Sequence, residues 1–148
     1  GYGAHLEYLI KNKGLNVSVY NGYDISSDML REAKKNLEWF DGELNLIEKS
    51  DIETTADFTF VSGTFNVRFR ATDSEWQSFV EGKITEINAY STKGFSVNFL
   101  STYVDWKEPH LFYADPMFWF DLSKRNFSKK VSLLHDYPLY EWTILVKK

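Results

Sequence analysis

The sequence predicts an α/β protein built around a mostly parallel sheet, and three observations predict it. Strand-like and helix-like patterns alternate along 148 residues in the order α-β-α-β-β-α-β-α-β-β, and such alternation means parallel strands joined by right-handed crossovers. The chain opens GYGAHLEYL, which has the form of the second half of a glycine turn running into a helix. It closes on two strands joined through Asp136, Tyr137 and Pro138, a connection tight enough to pair them antiparallel.

Each element has its own warrant. Leu6, Leu9 and Ile10 stand at i, i+3 and i+4, so the spacing predicts a helix over 4–12, closed by Gly14. NVSVYNGYDI (16–25) predicts a strand, with Val17, Val19 and Tyr23 suited to a buried sheet. Ser26, Ser27 and Asp28 can cap the next helix, where Leu30, Ala33 and Leu37 repeat at helical spacing and Arg31, Lys34 and Lys35 lie outside. Asp41-Gly42 predicts a turn. ELNLIEKSDI (43–52) and DFTFVSG (57–63) predict two further strands. Trp76, Phe79, Val80, Ile84, Ile87 and Tyr90 fall on one stripe and predict a helix over 73–91, after the cap candidates Thr72, Asp73 and Ser74. Gly94 precedes a predicted strand at 95–101, residues 102–114 with Pro109 predict a loop, and 114–122 predicts a helix with Asp115 as cap and Pro116 in first position. The closing strands are predicted at 130–135 and 140–147.

Composition narrows the function. The length suits one domain, 1–148, with a core of its own. Aromatic residues make up 18% of the chain, which argues for a packed fold with an aromatic-lined surface or pocket. The net charge is -4 and the basic cluster Lys124, Arg125, Lys129, Lys130 is small, so nucleic acid is not an expected partner. The absence of cysteine removes thiolate metal sites and cysteine nucleophiles, and fits a cytoplasmic protein. His5, His110 and His135 are far apart in sequence, so no metal site is expected. No apolar run approaches the ~20 residues of a membrane span, and no signal peptide is visible.

Ligands of α/β sheets sit outside the carboxyl ends of the strands. Gly1 and Gly3 would let backbone approach a ligand there, beside the free N–H groups of a helix start. Asp24 falls about 20 residues later, at the tip of the second strand, where an acid can accept hydrogen bonds from both hydroxyls of a ribose. Two such charge-assisted bonds, at ~1.5–3 kcal/mol each, would supply a large part of a micromolar affinity. The competing role for Asp24 is a helix cap before Ser26. Asp51, in Ser50-Asp51-Ile52, can accept from an adenine amino group while Ile52 packs on the ring, or it can be a surface turn residue. In SGTFN (62–66), Gly63 suggests close backbone approach, Phe65 a packing surface, and Asn66 a donor and acceptor.

GYGAHLEYL, YDIS, SDI, DFTFVSGTFN, NFLS, YADP and LLHDYPLYEWTI, in this order, resemble class I S-adenosylmethionine (SAM) dependent methyltransferases. The likeness covers the whole chain and is greatest to the small-molecule branch associated with sugar and surface-polysaccharide modification. The resemblance implies a Rossmann-like methyltransferase sheet of order 3-2-1-4-5-7-6 with strand 7 antiparallel, of which this sequence supplies strands 2 to 7. The family's loop is typically acidic-x-Gly-x-Gly-x-Gly, and Gly1 and Gly3 match its last two glycines. Strand 1 and a helix before it are therefore expected upstream, and 1–148 is expected to be a single SAM-binding domain without them. The resemblance further implies that Gly1, Tyr2, Gly3, Asp24, Ile25, Asp51, Ile52, Ser62, Gly63 and Phe65 contact SAM, and that Asn66, Tyr113, Asp115 and Tyr137 contact a small-molecule acceptor.

Methyl transfer from a sulfonium is a direct displacement, so alignment matters most and no covalent enzyme intermediate is needed. His135, at the end of the sixth strand, is the first candidate for a general base, and His110 the second. HDYP is also a tight-turn sequence that would use His135 structurally. Two other readings stay open. With a glycine two places before Gly1, Gly1 and Ala4 would complete the G-x-G-x-x-A of a nicotinamide-dependent oxidoreductase. A non-catalytic nucleotide-binding module would keep the same fold. Nothing in the residues specifies an oligomeric state.

Overall fold

The computed structural model describes residues 1–148, which form two compact units, Gly1–Thr54 and Thr55–Lys148. In the first unit a short α-helix, α1 (Ala4–Glu7), runs directly into a π-helical turn, Tyr8–Asn12. Gly14 follows with φ 63° and donates its N–H to the Ile10 carbonyl, which closes the helix at the predicted glycine. Strand β1 (Val19–Asp24) pairs in parallel with β2 (Glu43–Glu48), and α2 (Ser27–Asn36) joins them. Ser26 caps α2 by accepting from the Met29 N–H. The core of this unit is Leu6, Leu37 and Phe40, with Ile10, Val17, Tyr20 and Leu44 packed on it.

Two expectations for this unit are corrected. The strand expected over 16–25 begins only at Val19, which is 47% exposed. Tyr20, of the opposite parity, carries the side chain that faces the core, while Val17 reaches it from the preceding loop. The strand expected over 43–52 ends at Glu48, because the Lys49 N–H folds back on the Ile47 carbonyl. Ser50, Asp51 and Ile52 thus lie beyond the strand.

The second unit holds β3 (Ala56–Val61), α3 (Asp73–Tyr90), β4 (Ser91–Ser101), the two-residue β5 (Tyr113–Ala114), α4 (Pro116–Asn126), β6 (Lys130–Leu134) and β7 (Glu141–Lys147). Its main strand order is β3-β4-β7-β6, with β5 also on β4. β3 and β5 run parallel to β4; β7 is antiparallel to both β4 and β6. The orders β2-β1 and β3-β4-β7-β6 are those of segments 3-2 and 4-5-7-6 of the methyltransferase sheet.

One face of this second sheet is fully covered. Phe95, Val97 and Phe99 of β4 alternate with Ser96, Asn98 and Leu100, and only the first set is buried. Trp142, Ile144 and Val146 of β7 lie on the same buried side. Phe99 sits at the centre, with ring centroids 4.9 Å from Trp142, 5.1 Å from Trp119 and 5.9 Å from Phe65. Stacks of this kind add about 0.5–1.5 kcal/mol per pair to plain area burial.

Boundaries in this unit also moved. β3 ends at Val61, before Ser62 and Gly63. β4 starts at Ser91, directly after α3, so Gly94 lies inside the strand and not before it. A Cβ on Gly94 would stand 2.3 Å from the Val146 carbonyl oxygen, so the glycine admits the neighbouring β7 backbone. α4 begins at Pro116 behind the Asp115 cap and runs to Asn126, four residues past its expected end. Phe79, expected on the buried stripe of α3, is 45% exposed and lies 5.0 Å from the Trp76 ring.

Candidate functional site

In the first unit the glycine turn and the tip of β1 are well defined. Gly3 has φ 90°, a left-handed conformation that costs other residues about 1–2 kcal/mol. A Cβ there would lie 2.7 Å from Leu37 Cδ1, in the unit's core. Gly3 therefore shapes the turn and also leaves room for Leu37. The Tyr2 carbonyl accepts from Asn36 Nδ2 at 3.3 Å, and its ring is exposed.

Asp24 ends β1. Its Oδ1 accepts the Ser26 N–H at 2.9 Å, and its Oδ2 accepts from the Gly1 ammonium. Burial works to raise the Asp24 carboxyl, but the Gly1 ammonium and the N–H groups of Ser26 and Ile25 outweigh it and hold it below its ordinary value. The residue is thus joined to the glycine turn through one oxygen and to the start of α2 through the other. Ile25 is 74% exposed, and Asp51 and Ile52 follow β2 at the same, carboxyl end of this parallel pair.

In the second unit, the candidates divide. Ser62 and Gly63 are exposed, and Gly63 has φ 68° with open space where a Cβ would stand. Phe65, expected against a ligand, is buried on Phe99. The Asn66 side chain accepts from the Leu100 N–H at 3.2 Å and donates to Glu141 at 3.4 Å. Asp115 accepts the Met117 N–H at 2.9 Å as the α4 cap. Tyr113 Oη accepts from the Glu108 N–H at 2.9 Å. Tyr137 Oη lies 2.9 Å from Thr143 Oγ1, and burial pushes its phenol above the ordinary value. His135 follows β6, exposed, with its ring 5.8 Å from that of Tyr103. His110 is also exposed, and its carbonyl accepts the Arg68 N–H at 3.0 Å.

Of two further features, the first is the kind of aromatic-lined pocket that the composition led one to expect, and the second was absent from the sequence reading. A cavity of about 170 Å³ follows β4, walled by Leu100, Val104, Trp106, Leu111, Tyr113 and Tyr140, with Asp105 and Glu108 on its rim. Tyr140 Oη donates to Asp105 at 2.8 Å. Asn98 and Glu141 form the second feature, a polar pair beside the 62–66 turn. An amide inside the apolar run FSVNFL was the one signal for it. No group of three or more His, Asp or Glu side chains is arranged to hold a metal, and no helix is long and apolar enough to cross a membrane.

The comparisons with known proteins agree with this architecture. No family model matches the chain. It is 45% identical over 152 residues to the Mycobacterium tuberculosis protein named "Putative methyltransferase Rv1506c", covering all of this chain and 89% of that one. The chain belongs to the methyltransferase family that this protein represents. Among solved structures, magnesium protoporphyrin IX methyltransferase from Synechocystis PCC 6803 with bound S-adenosylhomocysteine (SAH) matches 86% of this chain at a TM-score of 0.63 and 10% identity. This chain spans 62% of the length of that enzyme. The Pnkp1/Rnl/Hen1 RNA repair complex matches all of this chain and 36% of the other, at a TM-score of 0.63 and 10% identity. Those two likenesses establish the α/β Rossmann-like methyltransferase fold with its mixed sheet.

Proposed function

We propose that this protein transfers a methyl group from SAM to a small-molecule acceptor in the cytoplasm. The observation that carries the reading is the carboxylate of Asp24 at the tip of β1, in a chain of a methyltransferase family. The residues present fit the donor. A carboxylate at a strand tip, with one oxygen accepting the Ser26 N–H, keeps lone pairs for two ribose hydroxyls. Ile25 and Ile52 offer apolar surface for an adenine, and Asp51 an acceptor for its amino group. Ser62 and Gly63, both exposed, are kept as the donor contacts that the resemblance implies. When bound, SAM supplies a methyl group already activated by its sulfonium. The chain's own task is to orient the acceptor and remove its proton, and His135 or His110 would take that proton.

The acceptor reading rests on the cavity after β4. At about 170 Å³ it is smaller than the roughly 300–1,000 Å³ of sites that bury drug-sized ligands, so it suits one ring of a larger molecule. Trp106 and Tyr140 supply faces, and Asp105 and Glu108 supply acceptors for hydroxyls. A sugar ring, as in a polysaccharide precursor, meets that description.

Calorimetric titration of SAH into wild-type protein and into Asp24→Asn tests the reading. Micromolar binding that weakens about tenfold in the variant, ~1.4 kcal/mol, is expected. Binding of NAD in place of SAH would refute it, and so would equal SAH affinity in the two proteins. Loss of methyl transfer to a sugar acceptor in Trp106→Ala, with SAH affinity kept, would support the acceptor assignment; unchanged KM would reject it.

A further inference from the structure

Both ends of the 62–66 turn are tied to one carboxylate. The Gly63 N–H donates to Asn98 Oδ1 at 2.8 Å, and Asn98 Nδ2 donates to Glu141 Oε2 at 2.7 Å. Asn66 Nδ2 donates to Glu141 Oε1 at 3.4 Å, while Asn66 Oδ1 accepts the Leu100 N–H at 3.2 Å. Glu141 is the first residue of β7 and lies across from Leu100 of β4, diagonal to Asn98. Asn66, Asn98 and Glu141 are each half-buried, on the sheet face opposite the Phe99 stack.

The chemistry of the three groups makes this a directional device. An ionised carboxylate only accepts. Each asparagine must therefore turn its NH₂ toward Glu141, and its oxygen is left facing a backbone N–H. For Asn98 that N–H belongs to Gly63, which has φ 68°. The other side of the turn is anchored without Glu141: Trp76 Nε1 donates to the Phe65 carbonyl at 2.8 Å, and the Phe65 ring is buried. Removing the carboxylate thus loosens the exposed Ser62–Gly63 end and leaves the core in place.

We propose that Glu141 is a positioning residue for donor binding, which it serves through Asn98 by holding the Gly63 backbone in its binding conformation. The proposal rests on the reading of Ser62 and Gly63 as donor contacts. Asn98→Asp places two carboxylates face to face, and Glu141→Gln leaves one amide oxygen for the two NH₂ groups of Asn98 and Asn66. The double variant restores every bond: the carboxylate introduced at position 98 would accept from both the Gly63 N–H and the new amide at position 141, whose oxygen would accept from Asn66.

The test measures SAH affinity and Gly63 amide exchange in wild type, both single variants and the double. Asn98→Asp is expected to weaken SAH about tenfold and to speed Gly63 exchange, and Glu141→Gln to do so less because its oxygen can stay on Asn98, with the double returning to within about threefold of wild type. Mere loss of packing would not be repaired by the swap. An Asn98→Asp variant that binds SAH as wild type does, or a folded double variant that fails to recover, would overturn the role of Glu141 while leaving the donor reading intact. A wild-type protein that binds no SAH would instead sink the donor reading, and this role with it.

Discussion

At Gly3 the backbone and the core exclude a side chain for separate reasons. The φ of 90° is strained for any L-residue, and Leu37 occupies the space a Cβ would need. Gly3→Ala is expected to lose at least about 2 kcal/mol, the sum of ~1–2 kcal/mol of backbone strain and the displacement of Leu37. Urea unfolding would measure it, and a loss under about 0.5 kcal/mol would show that the turn relaxes freely. Gly3 as a turn glycine and Asp24 as the residue at a strand tip were legible in the sequence, because both placements depend on neighbours near in sequence. Phe65 was not. It lies two residues beyond a glycine, and only the tertiary position of Phe99 shows that its ring turns inward. Asn98 and Glu141 were hidden for the same reason: 43 residues separate them, and the β4–β7 register alone brings them together.

Elements were legible where caps and periodicity agree. Thr72 accepts the Glu75 N–H, and Glu75 returns a bond to the Thr72 N–H at 2.8 Å, a capping box that starts α3 where the sequence predicts. Thr72→Ala should cost about 1 kcal/mol, read as a lowered Tm, with the helix otherwise intact. An unchanged Tm would mean that Asp73 or Ser74 takes over as the cap. Glycine misled where it served packing and not punctuation. Gly94 reads as a break before a strand, yet it lies within β4 because the Val146 carbonyl passes close to it. Gly94→Ala should separate β4 from β7 at that point and speed exchange of the nearby ladder amides. Slow exchange in the variant would show that the strands shift without parting. Strand ends were also read too long at Ser50–Ile52 and Ser62–Gly63, because alternation of apolar residues continues into turns that backbone hydrogen bonds have already begun.

For the whole molecule, alternation of strand and helix was enough to give a mostly parallel sheet with an antiparallel closing strand, while the strand orders came from the family resemblance. Its dependence on pH follows from four groups. Partial desolvation lowers the pKa of His5, whose side chain stays exposed, from an ordinary 6.5, so between that value and its folded pKa the unfolded chain binds more protons than the folded one. Stability should therefore begin to fall as pH drops through about 6.5. The Asp24, Asp57 and Glu75 carboxyls are held below their ordinary values, Asp57 chiefly by Lys93 and Thr92, and Glu75 by Thr72. Their contribution is fully present above the ordinary carboxylate range and is lost as pH falls through their folded values, so a second decline should start near pH ~4. His5→Gln should remove the decline in urea midpoint that begins near pH ~6.5 and leave the lower decline unchanged. A variant curve parallel to wild type across that upper window would show that His5 takes up its proton without cost to the fold.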